Sequence, residues 1–342
     1  MEIIVPAAGL STRFPGHRPK YLLYDYKSDL MLKNAVAPFI GNNNITVGIL
    51  KEHQKKYNAK SHINNAVPDA RVIELSPTKG PADTVYIILT TIGQDVSFLV
   101  KDCDSFFEFP DYYHGNFICV SRIQDHETLT RLSAKSFVRY NNQGIVTDIV
   151  EKQVVSDTFC VGGYAFASSH AFIKSYEKIS KNATGEIYVS HIIQDMILNG
   201  TTFATCPVTN YVDAGTSEDW HKYNDKPVIF CDIDGTLIVA QSRYGDYNYG
   251  SKPIVLSDNY NKIKHYYDNG AQIIFTTARE EVYYDQTKHM LEEMGFGDCL
   301  LIMGLNNSAR ILINDYNEAN PYPRALAYNI RRDSDTLKDI MK

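Results

Sequence analysis

A strand-like run, Ile3 to Val5, feeds straight into Pro6-Ala7-Ala8-Gly9-Leu10-Ser11-Thr12-Arg13-Phe14, and Arg18-Pro19-Lys20 follows closely. Small residues and a glycine after a strand let backbone N–H groups approach an anion without a side chain intervening. Ser11 and Thr12 add hydroxyls, while Arg13 and Lys20 bring two cations to the same loop. That is the chemistry of a triphosphate cradle. It is built neither as G-x-x-x-x-G-K-[ST] nor as G-x-G-x-x-G. Two further acidic pairs end strand-like runs: Asp102 and Asp104 in Val100-Lys101-Asp102-Cys103-Asp104, and Asp232 and Asp234 in Val228-Ile229-Phe230-Cys231-Asp232-Ile233-Asp234-Gly235-Thr236. Carboxylates two apart on a strand end share one face. Of the first pair, one can ligate a metal while the other serves as a hydrogen-bond partner, and the sequence leaves both assignments open.

Positioning these groups requires a series of strands. Apolar runs predict strands at Glu2–Pro6, 45–50, Arg71–Leu75, 96–101, 117–121 and 161–167, alternating with helical patterns. That alternation predicts an α/β fold on a mostly parallel sheet. The pattern restarts after the polar stretch 220–227, with strands expected at 228–231, Gln272–Thr276 and 309–313 and helices near 259–269 and 286–294. Two domains are therefore expected, 1–224 and 225–342.

The chain's 342 residues, 44% hydrophobic and 22% charged, exclude a disordered chain, a collagen-like fibre and a small disulfide scaffold. A formal net charge of −6 leaves no basic field for nucleic acid. Six scattered cysteines without a C-x-x-C argue against a zinc site or disulfide framework and for free thiols in a reducing compartment. No signal peptide and no membrane span is read, so a cytoplasmic location is expected. Twenty-four tyrosines against one tryptophan point to half-polar pockets or a subunit interface, and leave a homo-oligomer open.

Over its first 224 residues the chain resembles the nucleotide-sugar pyrophosphorylases, the sugar-phosphate nucleotidylyltransferases of the glucose-1-phosphate thymidylyltransferase kind. Residues 9–20 resemble that family's G-x-[ST]-x-R…P-K signature, with a shortened turn at Phe14-Pro15-Gly16-His17-Arg18. Thr78-Lys79-Gly80-Pro81-Ala82-Asp83-Thr84 is similar to its nucleobase and ribose loop, and Val150-Glu151-Lys152 to the segment whose lysine meets the acceptor phosphate. Gly162-Gly163-Tyr164 and Gly185-Glu186 resemble acceptor loops, and Tyr211-Val212-Asp213-Ala214-Gly215-Thr216 the second metal aspartate. The resemblance implies a Rossmann-like mixed-sheet (GT-A-like) domain that joins a nucleoside triphosphate to a phosphorylated sugar or polyol. It implies Mg²⁺ on Asp102 or Asp104 together with Asp213, and Arg13, Lys20 and Lys152 as catalytic cations. Ala8, Gly9, Leu10, Ser11, Thr12, Gly80, Ala82 and Asp83 would bind nucleotide, and Glu151, Gly163 and Glu186 the acceptor. Similarity to the branch that makes capsule precursors puts CTP ahead of UTP and dTTP.

The remainder resembles the haloacid dehalogenase superfamily, in particular its capsule-biosynthesis phosphatases. Asp232-Ile233-Asp234-Gly235-Thr236 is similar to motif I and Thr276-Thr277-Ala278-Arg279 to motif II. Ile311-Leu312-Ile313-Asn314-Asp315 is similar to motif IV, with Asn314 where the family has a first acid. This implies a Rossmannoid domain in which Asp232 attacks phosphorus. Asp234 would be the general acid–base, Thr277 a phosphate donor, and Asp232, Asp234 and Asp315 would hold Mg²⁺. No lysine stands where motif III is expected, so Arg310 or Lys288 would supply that cation. Only 45 residues separate Asp232 from Thr277, too few for a large cap. The stretch 241–249, with Tyr244, Tyr247 and Tyr249 beside Arg243 and Asp246, reads either as a small flap or as a solvated loop. The implied whole is bifunctional, with two rivals: a second domain that only binds or oligomerises, and a first domain that only senses nucleotide.

Overall fold

The computed structural model describes residues 1–110, 114–126, 131–240, 242–243, 246–247, 252–314 and 325–341. Two compact units form, Met1–Asn224 and Asp225–Lys342.

The first unit is built on strands β1 (Glu2–Pro6), β2 (Asn44–Leu50), β3 (Arg71–Leu75), β4 (Phe98–Lys101), β5 (Ser105–Glu108), β6 (Phe117–Arg122), β7 (Phe137–Tyr140), β8 (Val146–Val150), β9 (Thr158–Phe166), β10 (Ala204–Pro207) and β11 (Thr209–Asp213). Its helices are α1 (Met31–Val36), α2 (Lys51–Tyr57), α3 (Ala59–Ala66), α4 (Pro81–Ile92), α5 (Ser169–Ser180), α6 (Val189–Leu198) and α7 (Ser217–Asn224). A nine-stranded mixed sheet runs β10-β6-β9-β4-β1-β2-β3, with β7 and β8 attached beside β9. The strands β1, β2, β3 and β4 are parallel, and β9 is antiparallel to both neighbours.

Both faces of this sheet are covered, which explains why its central strands read as unbroken apolar runs rather than alternating ones. Ile3 and Val5 of β1 face a core shared with α1 and α3, while Ile4 faces α4, α5 and α6. The second core is aromatic: Phe166 stacks on Phe98 at 4.9 Å and meets Phe172 edge-on at 5.1 Å. Truncating such a ring to alanine typically costs about 3–5 kcal/mol. Helix α4 begins with Pro81 in its first turn and stops at Gly93, whose φ of +74° only glycine adopts readily.

The second unit starts with β12 (Val228–Asp232). A short hairpin of β13 (Ser242–Arg243) and β14 (Asp246–Tyr247) follows, then α8 (Ser257–Asp268), β15 (Gln272–Thr276), α9 (Tyr284–Glu293), β16 (Leu300–Ile302) and α10 (Leu337–Ile340). The strands β12, β15 and β16 pair in parallel in that order. Ile263, Ile273, Phe275, Leu291 and Phe296 fill the core on one face, whereas Val228, Phe230, Leu300 and Ile302 point outward and are exposed.

The strand expected at 309–313 is absent. Residues 309–314 are irregular, with Ile311 and Ile313 exposed by 83% and 92%. β propensity expresses itself only against a partner, and among the described residues this segment pairs with none.

The segment after β1 and helix α2 share one pH-sensitive contact. His53 of α2 is buried, and its Nδ1 lies 3.2 Å from the Tyr21 hydroxyl, which donates to it when the ring is neutral. Burial holds the His53 pKa below the usual 6.5. The neutral ring's contribution is therefore complete above pH 6.5 and is lost as pH falls from 6.5 through the lower folded value. Urea midpoints measured from pH 7 to pH 5 are expected to fall, and His53→Gln to make that decline shallower.

Candidate active site

The loop after β1 is shaped at Ser11 by a left-handed backbone and two hydrogen bonds. Ser11 adopts φ +53°, its carbonyl accepts the Phe14 N–H at 2.9 Å, and its hydroxyl accepts the Lys20 N–H at 3.1 Å. The Phe14 ring is buried in a small cluster with Met31, Ala35, Phe106, Ala214 and Trp220. Gly9, Leu10, Thr12 and Arg13 are left exposed, whereas Ala8 packs inward on Leu50 and Leu75. A cavity of about 320 Å³ opens beside the loop, where Ser11, Thr12 and His17 face Glu52, His53 and Lys56. Those α2 residues were not anticipated, because nothing in the chain spacing links them to the loop.

The strands β5 and β11 pair antiparallel with Asp213 opposite Ser105, and the Ala214 N–H bonds the Asp104 carbonyl at 2.8 Å. Two aspartates distant in sequence thus meet. A carbon placed as Cβ on Gly215 would lie 2.9 Å from Asp213 Oδ1, 3.3 Å from Asp104 Oδ2 and 3.6 Å from an Arg13 guanidinium nitrogen. Lys20 Nζ donates to Asp104 Oδ2 at 2.5 Å. Burial raises the Asp104 carboxyl, but the adjoining Lys20, with Arg13 and Lys101 adding to it, carries it well below the usual carboxylate range. Burial likewise opposes the Lys20 ammonium, and Asp104 together with Cys103 holds it above the usual lysine value.

Asp102 behaves differently. Its carboxyl rests against Gly162, and burial, then repulsion from Asp104, raises its pKa. The neighbouring carboxyls are therefore driven apart, Asp104 toward the charged form and Asp102 toward the neutral one. Lys101, fully buried, clamps their turn by donating to the Asp102 and Ser105 carbonyls and to the Ser105 hydroxyl. Burial draws its ammonium down to about 8.

Sequence reasoning also missed Lys135. Its Nζ donates to Asp213 Oδ2 at 2.6 Å and to the Tyr211 hydroxyl at 2.8 Å, and lies over the Phe159 and Tyr211 rings. Residues 131–136 carried no recognisable motif that would have singled it out.

At the expected acceptor side, Lys152 adopts φ +56°, donates to the Tyr188 hydroxyl and lies 4.1 Å over that ring, while Tyr188 donates to Glu186. Tyr188 was not anticipated. Glu151 Oε2 accepts the Ser136 and Ser190 hydroxyls, each at 2.5 Å. At Gly163 a side chain would collide with Cys119 and Phe107 in the core, and Gly162 is the glycine facing Asp102.

At the loop expected to meet the nucleoside, Gly80 has φ +127°, and a Cβ there would lie 2.6 Å from Glu186 Cγ. Ala82 and Asp83 are both engaged within the protein. The Ala82 methyl is core and its N–H bonds the Ile187 carbonyl at 3.2 Å. The Asp83 oxygens accept the Lys79 N–H at 2.8 Å and the Tyr176 hydroxyl at 2.5 Å.

Among the described residues no three acidic, histidine or cysteine groups converge as a metal cage. Mg²⁺ usually uses one or two carboxylates plus substrate phosphates and water. Two carboxylate oxygens facing a space that only glycine leaves open fit that pattern.

In the second unit, Asp232 accepts the Thr236 hydroxyl at 3.1 Å. Burial raises its pKa, Asp234 adds to the rise, and Arg310 partly offsets it. Arg310 also donates to the Asn306 and Ser308 carbonyls. Arg279, unassigned from sequence, forks onto Asp234 with two bonds of 2.8 Å. The Thr277 hydroxyl accepts the Arg279 N–H at 3.1 Å and lies 3.4 Å from Asp234, and the residue is buried. Thr277 thus supports the Arg279–Asp234 pair. Lys288 donates to the Gly297 and Cys299 carbonyls. Gly235, at φ +88°, has the Arg332 side chain against it. Asp315, Tyr244 and Tyr249 lie outside the described residues, as do the side chains of Arg243, Asp246 and Tyr247.

No family model and no curated protein matches the chain. Solved structures do. A nucleoside-diphosphate-sugar pyrophosphorylase from Vibrio cholerae RC9 superposes with a TM-score of 0.55 at 20% identity, over 64% of this chain and 98% of that one. The inositol-1-phosphate CTP transferase from T. maritima gives 0.53 at 16% identity, over 64% and 90%. The likeness shows a nucleotidyltransferase-like mixed α/β fold.

Gly162→Ala tests the contact beneath Asp102. With φ +80° and a Cβ 2.5 Å from Asp102 Oδ2, the substitution is expected to cost at least about 2 kcal/mol in urea unfolding.

Proposed function

We propose that the first unit transfers a nucleotidyl group from a nucleoside triphosphate to the phosphate of a sugar or polyol phosphate and releases pyrophosphate. The observation carrying this reading is the convergence of Asp104, Asp213 and Arg13 at Gly215, with Lys20 and Lys135 paired to the two carboxylates. An acceptor phosphate oxygen attacks the α-phosphorus, and the bond to the β-phosphate bridging oxygen breaks. Both reactants are anions, so the protein's task is charge neutralisation and alignment. Arg13 and Lys20 offset charge on the leaving pyrophosphate, and Lys152, propped by Tyr188, anchors the acceptor phosphate. The acceptor is already ionised near neutral pH and needs no general base. Asp104 and Asp213 would hold Mg²⁺, which when bound supplies positive charge at the α-phosphate. CTP stands ahead of UTP and dTTP on the sequence's similarity to the capsule-precursor branch alone, because the structural likenesses include both a CTP transferase and a glucose-1-phosphate thymidylyltransferase. No described helix is long and apolar enough to cross a membrane. The six buried, free cysteines support a reducing, cytoplasmic setting.

The second unit is read as a phosphate monoester hydrolase: Asp232 attacks phosphorus to form an aspartyl-phosphate, the alcohol leaves with a proton from Asp234, and Asp234 then takes a proton from the water that cleaves the acyl phosphate and releases inorganic phosphate. Arg279 engages both Asp234 oxygens, so it must release one before Asp234 reaches a leaving oxygen. That ion pair also favours a second reading, in which the unit binds a phosphate ester without turning it over.

Pyrophosphate release with four triphosphates and a panel of phosphorylated sugars and polyols tests the first reading. Lys20→Met and Asp104→Asn are each expected to lower kcat by about 10²–10³; no release with any pair would sink the proposal. Phosphate release tests the second unit. Asp232→Asn is expected to abolish it, because the attacking carboxylate is removed. Absence of release at every pH would leave the binding reading.

A further inference from the structure

We propose that Lys135 and Lys20 are place-holding counter-ions of the divalent-metal site, each occupying the carboxylate charge that a metal ion takes over when it arrives with the triphosphate. The inference rests on the transferase reading of this site and assigns a role to Lys135, which no motif singled out. Lys135 Nζ sits 2.6 Å from Asp213 Oδ2, and Lys20 Nζ 2.5 Å from Asp104 Oδ2. Both side chains are mostly buried, so water screens these pairs weakly. With Arg13, three cations face two carboxylates. A dication entering alone would have to displace bound ammonium groups and then remain beside them with no anion to balance the excess. A polyanion entering with it supplies that balance and new acceptors for the displaced N–H groups.

Lys135 is built to stay when its partner changes. Its bond to the Tyr211 hydroxyl at 2.8 Å and its position over the Phe159 and Tyr211 rings are independent of Asp213. The ammonium therefore remains poised at the site with one donor freed for a phosphate oxygen. The scarcity of protein ligands fits the same order of events: two carboxylates cannot complete a magnesium shell, and triphosphate oxygens do.

The test is Mn²⁺ binding to the full chain without nucleotide, followed by electron paramagnetic resonance. Asp232→Asn in every sample silences the other acidic cluster. The parent is expected to bind weakly, and Lys135→Met to bind about tenfold more tightly, since a competing charge-assisted bond is gone. Lys20→Met, altered on the other carboxylate, is expected to tighten binding too, and provides the measurement if Lys135→Met fails to fold. Lys135→Arg should return to the parent's weak binding, and Asp213→Asn added to Lys135→Met should abolish the gain. Unchanged or weaker Mn²⁺ binding in both methionine variants would overturn the assignment. The titration involves no turnover, so missing pyrophosphate release strikes the transferase reading, whereas an unchanged Mn²⁺ affinity with release intact strikes this one.

Discussion

Two ionised carboxylates cannot be held against one another in a poorly hydrated cleft without cations beside them, and the first unit is arranged around that requirement. Asp104 and Asp213 are brought to Gly215 by the pairing of β5 with β11, so the backbone itself imposes the proximity. Lys20 then has to arrive from the loop after β1, and Lys135 from the segment before β7. The loop follows a left-handed Ser11 and a buried Phe14, and the turn at residues 101–105 is tied down by Lys101. Each of these features serves to keep opposite charges within reach of one another.

Much of the sheet was legible because its central strands are apolar on both faces. The runs at Glu2–Pro6, Arg71–Leu75 and Gln272–Thr276 match strands of the structure residue for residue. The segment 309–313 shows the limit of that signal, for its apolar residues resemble a buried strand but find no neighbour among the described residues. Within the site, residues whose chemistry is announced locally, such as Arg13 and Lys20 beside a glycine, stood out from the sequence. Lys135 and Tyr188 did not, since their importance lies in which strand or loop is folded against them. Ala82, Asp83 and Gly163 illustrate a related point: a motif identifies a loop, while burial decides which of its atoms remain available.

The two units treat their acidic groups differently. In the first, each ammonium is a single flexible point charge on one carboxylate oxygen, an arrangement readily exchanged for another cation or anion. In the second, Arg279 grips Asp234 through a planar fork while Thr277 and Thr287 support it. Such a pair is rigid, and it favours fixed geometry over exchange.

The chain's only tryptophan adds a practical consequence. Trp220 is stacked on Tyr223 and buried in the same small cluster as Phe14 and Ala214, one from the cationic loop and the other adjoining Asp213. Any ligand that draws the loop and β11 together must disturb the surroundings of that single indole. The protein thus contains an intrinsic optical reporter beside the proposed triphosphate site, and a change in tryptophan emission can follow occupancy in real time with no label attached.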